Sequence, residues 1–212
     1  PPEDPTHRVR SDETCLKVLS RQLGRYLYPV HRLDRATSGV LIFALTADAA
    51  SHLASQFRDH QVHKRYIALT RGWIPESLTR IDRALKNDGE AITLIRRLAC
   101  HEFQWPNSRF DTTRASLVEA KPITGKMHQI RRHLAGEGYP LVGDSSYGDG
   151  ETNAAFKTHW NLSRLWLHAL GLEIHHPQTG QALRLRANFP SDWHQAFDVF
   201  GLCPVFLGLQ NA

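Results

Sequence analysis

Leu16, Leu19 and Leu23 recur at helical spacing and are followed by Gly24, so the first regular element is predicted to be a helix closed by a C-terminal glycine. Its N-cap candidates are Ser11 and Asp12, at the end of a polar, proline-rich lead-in over residues 1–12. Residues 26–30 and 40–45 read as strands; the second is a continuous apolar run and is expected to be central in a sheet. Thr46 caps a helix reaching about His60, with Ala50, Leu53, Ala54 and Phe57 on one face and Ser51, Ser55 and Arg58 turned away. Residues 64–70 form a strand that ends at Arg71 and Gly72.

Over residues 76–112 the apolar positions Leu78, Ile81, Leu85, Ile92, Leu94 and Ile95 are scattered among charges, which predicts short strands around a turn at Asn87, Asp88 and Gly89. Arg96 and Arg97 are read there as a solvated basic face rather than a phosphate contact. Alternation returns over residues 115–121. A turn at Pro122–Gly125 then precedes a helix from about Met127, with Ile130 and Leu134 on one face and Lys126, His128, Arg131, Arg132 and His133 on others. A further helix is expected around residues 154–160 and a strand over 165–174. A hairpin turn at His176, Pro177, Thr179 and Gly180 leads into residues 182–186, and a closing amphipathic helix carries Trp193, Phe197 and Phe200. Repeats and low-complexity tracts are absent, and residues 1–212 are expected to form a single domain.

Charge and composition narrow the partner. With 26 Lys and Arg against 21 Asp and Glu, the net charge is +5 and the pI about 9.3, which suits a polyanion such as nucleic acid. Cys15, Cys100 and Cys203 are far apart and odd in number, which argues against a disulfide scaffold and for a reducing cytoplasm. No apolar run approaches the length of a membrane span, and the first residues lack a signal-peptide pattern. The close histidine pairs His60 and His63, His128 and His133, and His175 and His176 lack acidic or cysteine partners at ligand spacing, so no metal is expected.

The residues richest in chemistry are His31, Arg32, Leu33, Asp34, Arg35, Ala36, Thr37, Ser38 and Gly39. In an extended segment Arg32 and Asp34 share a face and Leu33 turns inward, while Thr37, Ser38 and Gly39 read as a turn. This pattern alone fits either a surface ion pair or a carboxylate held for chemistry.

The run HRLDRATSG resembles the catalytic-loop motif H-R-L-D-x-x-T-S-G of the RluA-type pseudouridine synthases. Lys64, Tyr66, Ala68 and Gly72 resemble that family's K-x-Y-x-A motif and its following glycine. Thr124, Gly125, Lys126, His128, Gln129, Ile130, Arg131 and His133 resemble T-G-R-x-H-Q-I/L-R-x-H. Two departures are Lys126, where arginine is more usual, and Tyr139, which replaces a histidine in a stretch otherwise similar to G-H-P-I-x-G-D. A closing hairpin with L-H-A and H-P-x-T-G is also matched, at residues 167–169 and 176–180.

The resemblance implies an α+β pseudouridine synthase fold, with a mixed, mostly antiparallel central sheet flanked by helices and loops. It implies an isomerase that flips a uridine out of RNA and converts it to pseudouridine without a cofactor. Asp34 would open the reaction by nucleophilic attack or proton removal, Tyr66 would cover the uracil, and Arg131 would hold Asp34 in place. Arg32, Lys64, Lys126, His128 and Arg132 would face RNA; His31 is read as a hydrogen-bonding loop residue outside the catalytic set. No S4-type domain precedes the catalytic region, and the chain begins where a leading strand bearing N-K-P-x-G would just have ended, so that strand is expected to be missing. Residues 112–117, 126–134 and 144–148 point to a tRNA-modifying branch. The alternatives are a ribosomal RNA synthase of the same family and a non-catalytic RNA-binding protein. Neither a membrane nor an obligate protein partner is indicated.

Overall fold

The computed structural model describes residues 14–203. The expected lead-in and its cap candidates Ser11 and Asp12 lie outside that range. Within it, Thr14 caps α1 (Cys15–Leu23) by accepting from the Lys17 amide, and Gly24 closes the helix at φ 62°.

Three two-residue strands follow: β1 (Tyr28–Pro29), β2 (Ser38–Gly39) and β3 (Phe43–Ala44). β1 and β3 pair antiparallel in a small sheet of their own, so the apolar run at 40–45 is not a central strand. Its side chains serve a different purpose. Val40, Ile42 and Ala44 pack with Leu53 and Phe57 of α2 (Ala47–Arg58), which supplies their burial without a second ladder of hydrogen bonds. Thr46 caps α2 as expected, accepting from the Ala49 amide.

The main sheet is built from β2, β4 (His63–Arg71), β5 (Arg80–Asp82), β6 (Ile92–Phe103), β7 (Thr113–Pro122), β8 (Leu167–His175) and β9 (Ala182–Arg186). Its order is β2-β8-β4-β7-β6-β5, with β9 also on β8. Only β2 runs parallel to its neighbour; every other pairing is antiparallel, giving the mixed, mostly antiparallel sheet of an α+β fold. Gln56 ties α2 to this sheet: its side chain donates to the His175 carbonyl at 2.8 Å and accepts from the His175 amide at 2.9 Å.

The segment predicted to hold only short strands contains one twelve-residue strand, β6. A register shift between Arg97 and Ala99 breaks its alternation, which is why the pattern reads as fragments. Arg96 is exposed but pairs with Glu119, and Arg97 donates to the Ile74 carbonyl at 2.9 Å besides pairing with Glu76.

Alternate residues of β4 and β7 serve opposite faces. Ile67, Leu69 and Leu117 join an aromatic core with Phe156 and Trp160 of α4 (Gly150–Trp160) and Trp193 and Phe197 of α5 (Asp192–Val199). Ala68, Val118 and Ala120 face the other way, toward Ile130 and Leu134 of α3 (Gln129–Gly136), with Tyr66 packed at the edge of that cluster. The face under α3 carries the site. Among the described residues, no helix is long and apolar enough to cross a membrane.

Candidate active site

The loop from β1 to β2 is held at both ends. At its start, His31 Nε2 accepts from the Ile42 amide at 2.9 Å and its ring stacks on Phe57, with centroids 4.7 Å apart. Burial, helped by the charge of Lys64, pulls the His31 pKa down to about 4, so at neutral pH it is the uncharged acceptor this bond needs. At its end, the catalytic-loop motif meets the L-H-A motif. Ser38 and Gly39 pair with His168 and Ala169, and Ser38 Oγ lies 2.9 Å from His168 Nδ1. Gly39, at φ 117°, passes so close to β8 that a Cβ there would lie 2.1 Å from the Ala169 carbonyl oxygen. Between these anchors Asp34 accepts from the Thr37 amide through its main chain at 2.9 Å. The turn thus falls at Arg35 and Ala36 rather than at residues 37–39.

α3 is seated by its own motif. Gln129 Oε1 accepts from Thr124 Oγ1 at 2.7 Å and from the Lys126 amide at 3.0 Å; its Nε2 donates to the Ile92 carbonyl and to Thr93 Oγ1. His128, at the N-cap, takes the left-handed conformation with φ 51°. This aims Arg131 at the loop. Arg131 Nε and Nη2 clasp both carboxylate oxygens of Asp144, at 2.7 and 2.8 Å, and Nη1 donates to Asp34 Oδ2 at 3.2 Å.

Burial alone would lower the Arg131 pKa, but the bonds and charges of Asp144 and then Asp34 outweigh it and hold the guanidinium above its ordinary value. Burial likewise works against ionised Asp144, and Arg131 with the Ser146 and Tyr147 amides more than offsets it, leaving that carboxyl below its usual range.

Asp34, Arg32, Leu33, Tyr66, Lys126, His128 and Arg131 all line one cleft of about 250 Å³. That is below the size of a drug-sized ligand site and suits one planar base. Leu33 is half-buried there rather than turned into the core. Burial, reinforced by the negative charge of Asp34, pushes the Tyr66 phenol up to about 12, so it stays protonated. His128 Nε2 lies 3.8 Å from Asp34 Oδ1, and burial lowers its pKa although Asp34 opposes this.

Two of the expected RNA-facing cations are employed elsewhere. Lys64 donates to the Thr124 carbonyl at 2.8 Å, supporting the cleft wall from behind, and burial lowers its pKa to about 8. Arg132 points away from the cleft, pairing with Asp88 and donating to the Lys86 carbonyl at 2.7 Å. Conversely, the site includes two residues outside the expected set. Asp144 fixes Arg131, and Tyr147 lies with its ring 5.1 Å from the Arg131 guanidinium and its hydroxyl 3.2 Å from His128 Nδ1. The sequence signals for them were the Gly143-Asp144 end of the G-H-P-I-x-G-D resemblance and, for both, the stretch 144–148 that points to the tRNA-modifying branch. Among the described residues, no group of three or more His, Cys, Asp or Glu could hold a metal ion.

The site is thus a loop-borne carboxylate hydrogen-bonded to a buried arginine, in a cleft walled by a tyrosine. The RNA pseudouridylate synthase family matches residues 2–136, and the chain belongs to that family of RNA-modifying isomerases. Among its relatives, tRNA pseudouridine synthase C of Vibrio cholerae is 41% identical over 203 residues, covering 89% of this chain and 83% of the relative. The protein of that name from Salmonella typhimurium is 40% identical over 200 residues, covering 88% and 77%. The solved structure of human RNA Pseudouridylate Synthase Domain Containing 1 superposes with a TM-score of 0.69 at 28% identity, covering 86% of this chain and 76% of that one.

Proposed function

We propose that this chain, acting as one catalytic domain, converts a uridine of tRNA to pseudouridine with Asp34 as the group that opens the reaction. The observation that carries the reading is the placement of Asp34 Oδ2 at 3.2 Å from Arg131 Nη1, inside the cleft that Tyr66 walls. The choice of tRNA rests on the relatives named tRNA pseudouridine synthase C, which match most of the chain.

The uridine leaves the RNA stack and enters the cleft, at a cost of a few kcal/mol. Asp34 then attacks the nucleotide, through a bond that breaks again by the time C1′ is joined to C5, or removes a proton from its sugar and later returns it. The bond from sugar C1′ to uracil N1 breaks, the base turns between Tyr66 and the loop, and C1′ joins C5. The hydrogen on C5 leaves as a proton and N1 gains one, so the isomerisation balances without a redox partner. Arg131 keeps the carboxylate aimed throughout. Arg32 is exposed and lines the cleft with Lys126 and His128; in this reading Arg32 stacks into the gap left by the flipped base, and Lys126 and His128 meet the flanking phosphates. The free thiols of Cys15, Cys100 and Cys203 accord with work in a reducing cytoplasm.

Tritium release from RNA labelled at uridine C5 tests this. The wild type releases tritium from tRNA and Asp34→Ala does not. Release from ribosomal RNA alone would keep the enzyme and overturn the substrate. Binding without release from either RNA would overturn catalysis.

A further inference from the structure

A second groove, of about 380 Å³, lies on the opposite face of the sheet, over the β4–β8–β9 pairing. Arg65 pairs with Glu119, which alternates on β7 with Val118 and Ala120 of the face under α3, so Arg65 projects away from the catalytic cleft. Arg65 pairs in register with Gly171, and Gly171 with Arg186, so these three positions form one row across the sheet. The central residue has no side chain. A trough one residue wide is left between two guanidinium-bearing positions, and a Cβ at Gly171 would sit 3.0 Å from the Leu185 carbonyl oxygen. Lys121 and Arg184 stand at its rims.

The charge of this surface is ordered. Glu119, its side chain 3% exposed, pairs with Arg65, Arg96 and Lys121 at once, fixing three cations around one buried carboxylate. Glu173 answers Arg184 at 3.5 Å. Lys64, Arg65, Lys121, Arg184 and Arg186 line the groove, beside Glu173 and with buried Glu119 behind Arg65 and Lys121. Burial of their methylene stems is not what holds the outer members there, since Arg184 and Arg96 remain 76% and 62% exposed. Lys64, which lines the groove, donates to the Thr124 carbonyl of the cleft wall, and Lys121 precedes Pro122, which lines the cleft.

We propose that this groove is a second RNA-binding site, taking the phosphate backbone of the substrate RNA beyond the flipped uridine. The inference rests on the RNA-modifying function proposed above. Guanidinium groups on both walls of a side-chain-free trough suit a phosphate fork, and the rim lysine adds a point charge. The interaction is with backbone and carries no base readout. It contributes affinity for a large folded RNA and little for a short one that fills only the cleft.

Arg184 and Arg186 are exposed on the five-residue strand β9 and can be exchanged without opening the core. The test compares wild type, the double variant Arg184→Gln with Arg186→Gln, and the charge-keeping double variant Arg184→Lys with Arg186→Lys. Binding to an unmodified tRNA transcript and to a short hairpin bearing only the target arm is titrated against salt. For every phosphate that is no longer neutralised, the plot of log affinity against log salt flattens by about 0.7–0.9. The Gln pair is expected to flatten it by about 1.5 on tRNA and to weaken binding about tenfold at moderate salt. It should leave the hairpin titration and the saturated rate of tritium release unchanged, and the Lys pair should retain the wild-type slope.

An unchanged slope on tRNA overturns the groove, as does an equal effect on the hairpin, which would trace the change to the cleft. Weakened binding of the Gln pair to anionic vesicles with tRNA binding intact would overturn RNA in favour of a membrane surface. A wild type that binds tRNA with the expected slope but releases no tritium overturns the catalytic reading alone.

Discussion

Arg131 bridges two carboxylates with different roles: it commits two guanidinium nitrogens to buried Asp144 and presents the third to Asp34. Asp144 is thereby the positioning residue, because a fork clamped at both oxygens cannot rotate away from the loop. Asp144→Asn keeps the shape but surrenders the charge and one strong acceptor. The expected result is a fall in single-turnover rate of about 100-fold, with RNA affinity near wild type. Stability should fall by about 3 kcal/mol, since a buried arginine loses its counter-charge. Tritium-release kinetics and denaturant titration read the two effects separately; Asp144→Glu, which restores the charge, should recover part of the rate.

Tyr66 separates stacking from acid–base chemistry. Its phenol, pushed up to about 12, does not titrate in the working range, so the rate profile should show no alkaline limb from this group below about pH 11. Tyr66→Phe keeps the ring and should bind substrate RNA as the wild type does. Tyr66→Ala removes the platform and should weaken capture of the flipped base by about 1–3 kcal/mol. A binding series on RNA containing the target uridine decides it.

Several elements were legible in the sequence because their signals are local. Thr46 and Gly24 cap the helices they were expected to cap, and the apolar stripe Leu53 with Phe57 faces inward from α2. β6 was not legible, since the shift at Arg97 moves its side chains to the other face midway and removes the period the eye looks for. The run at residues 40–45 misled for another reason: Val40, Ile42 and Ala44 pack under α2 while Leu45 stays half exposed, so apolar continuity there does not mark a strand buried on both faces.

At the site, the motifs brought Asp34, Tyr66 and Arg131 into view, and the fold places all three in one cleft. What the sequence could not carry was aim. Arg131 and Arg132 are adjacent on α3, about 100° apart around its axis, and only the first looks into the cleft. The same limit hid Tyr147, whose partners His128 and Arg131 belong to another element.

Half-buried His31 and buried His168 set an acid limit on the fold. His31 and His168 both have pKa values lowered from 6.5 to about 4, chiefly by burial, with the charge of Lys64 acting on the first and that of Arg164, opposed by Asp192, on the second. The unfolded chain binds these protons first, so the stabilisation is fully present above pH 6.5 and is lost as pH falls from there toward 4. At pH 5 the expected loss is about 2 kcal/mol for each residue. Urea titrations at pH 7 and pH 5 should show it. His168→Asn, which keeps an acceptor near the Nδ1 position, and His31→Gln, which keeps one near Nε2, should each remove one share of the pH dependence.

The anchor at Gly39 is the least tolerant point of the loop. Its φ of 117° lies where side-chain-bearing residues are strained, and an added Cβ would meet main chain, the Ala169 carbonyl oxygen at 2.1 Å, rather than a flexible side chain that could move aside. Gly39→Ala must therefore push β2 off β8, breaking the Val40 amide bond to Ala169 and the approach of Ser38 to His168. Asp34 lies five residues before, on the loop these interactions terminate, so its distance to Arg131 should grow. The expected outcome is a destabilisation of about 2 kcal/mol or more together with loss of turnover. Gly24→Ala provides the control: it has a positive φ of 62° but nothing within 4 Å, and it closes a helix that contributes no residue to the cleft. It should cost about 1 kcal/mol and leave tritium release intact. Equal losses of activity in the two variants would show that general destabilisation, not the β2–β8 pairing, sets the position of Asp34.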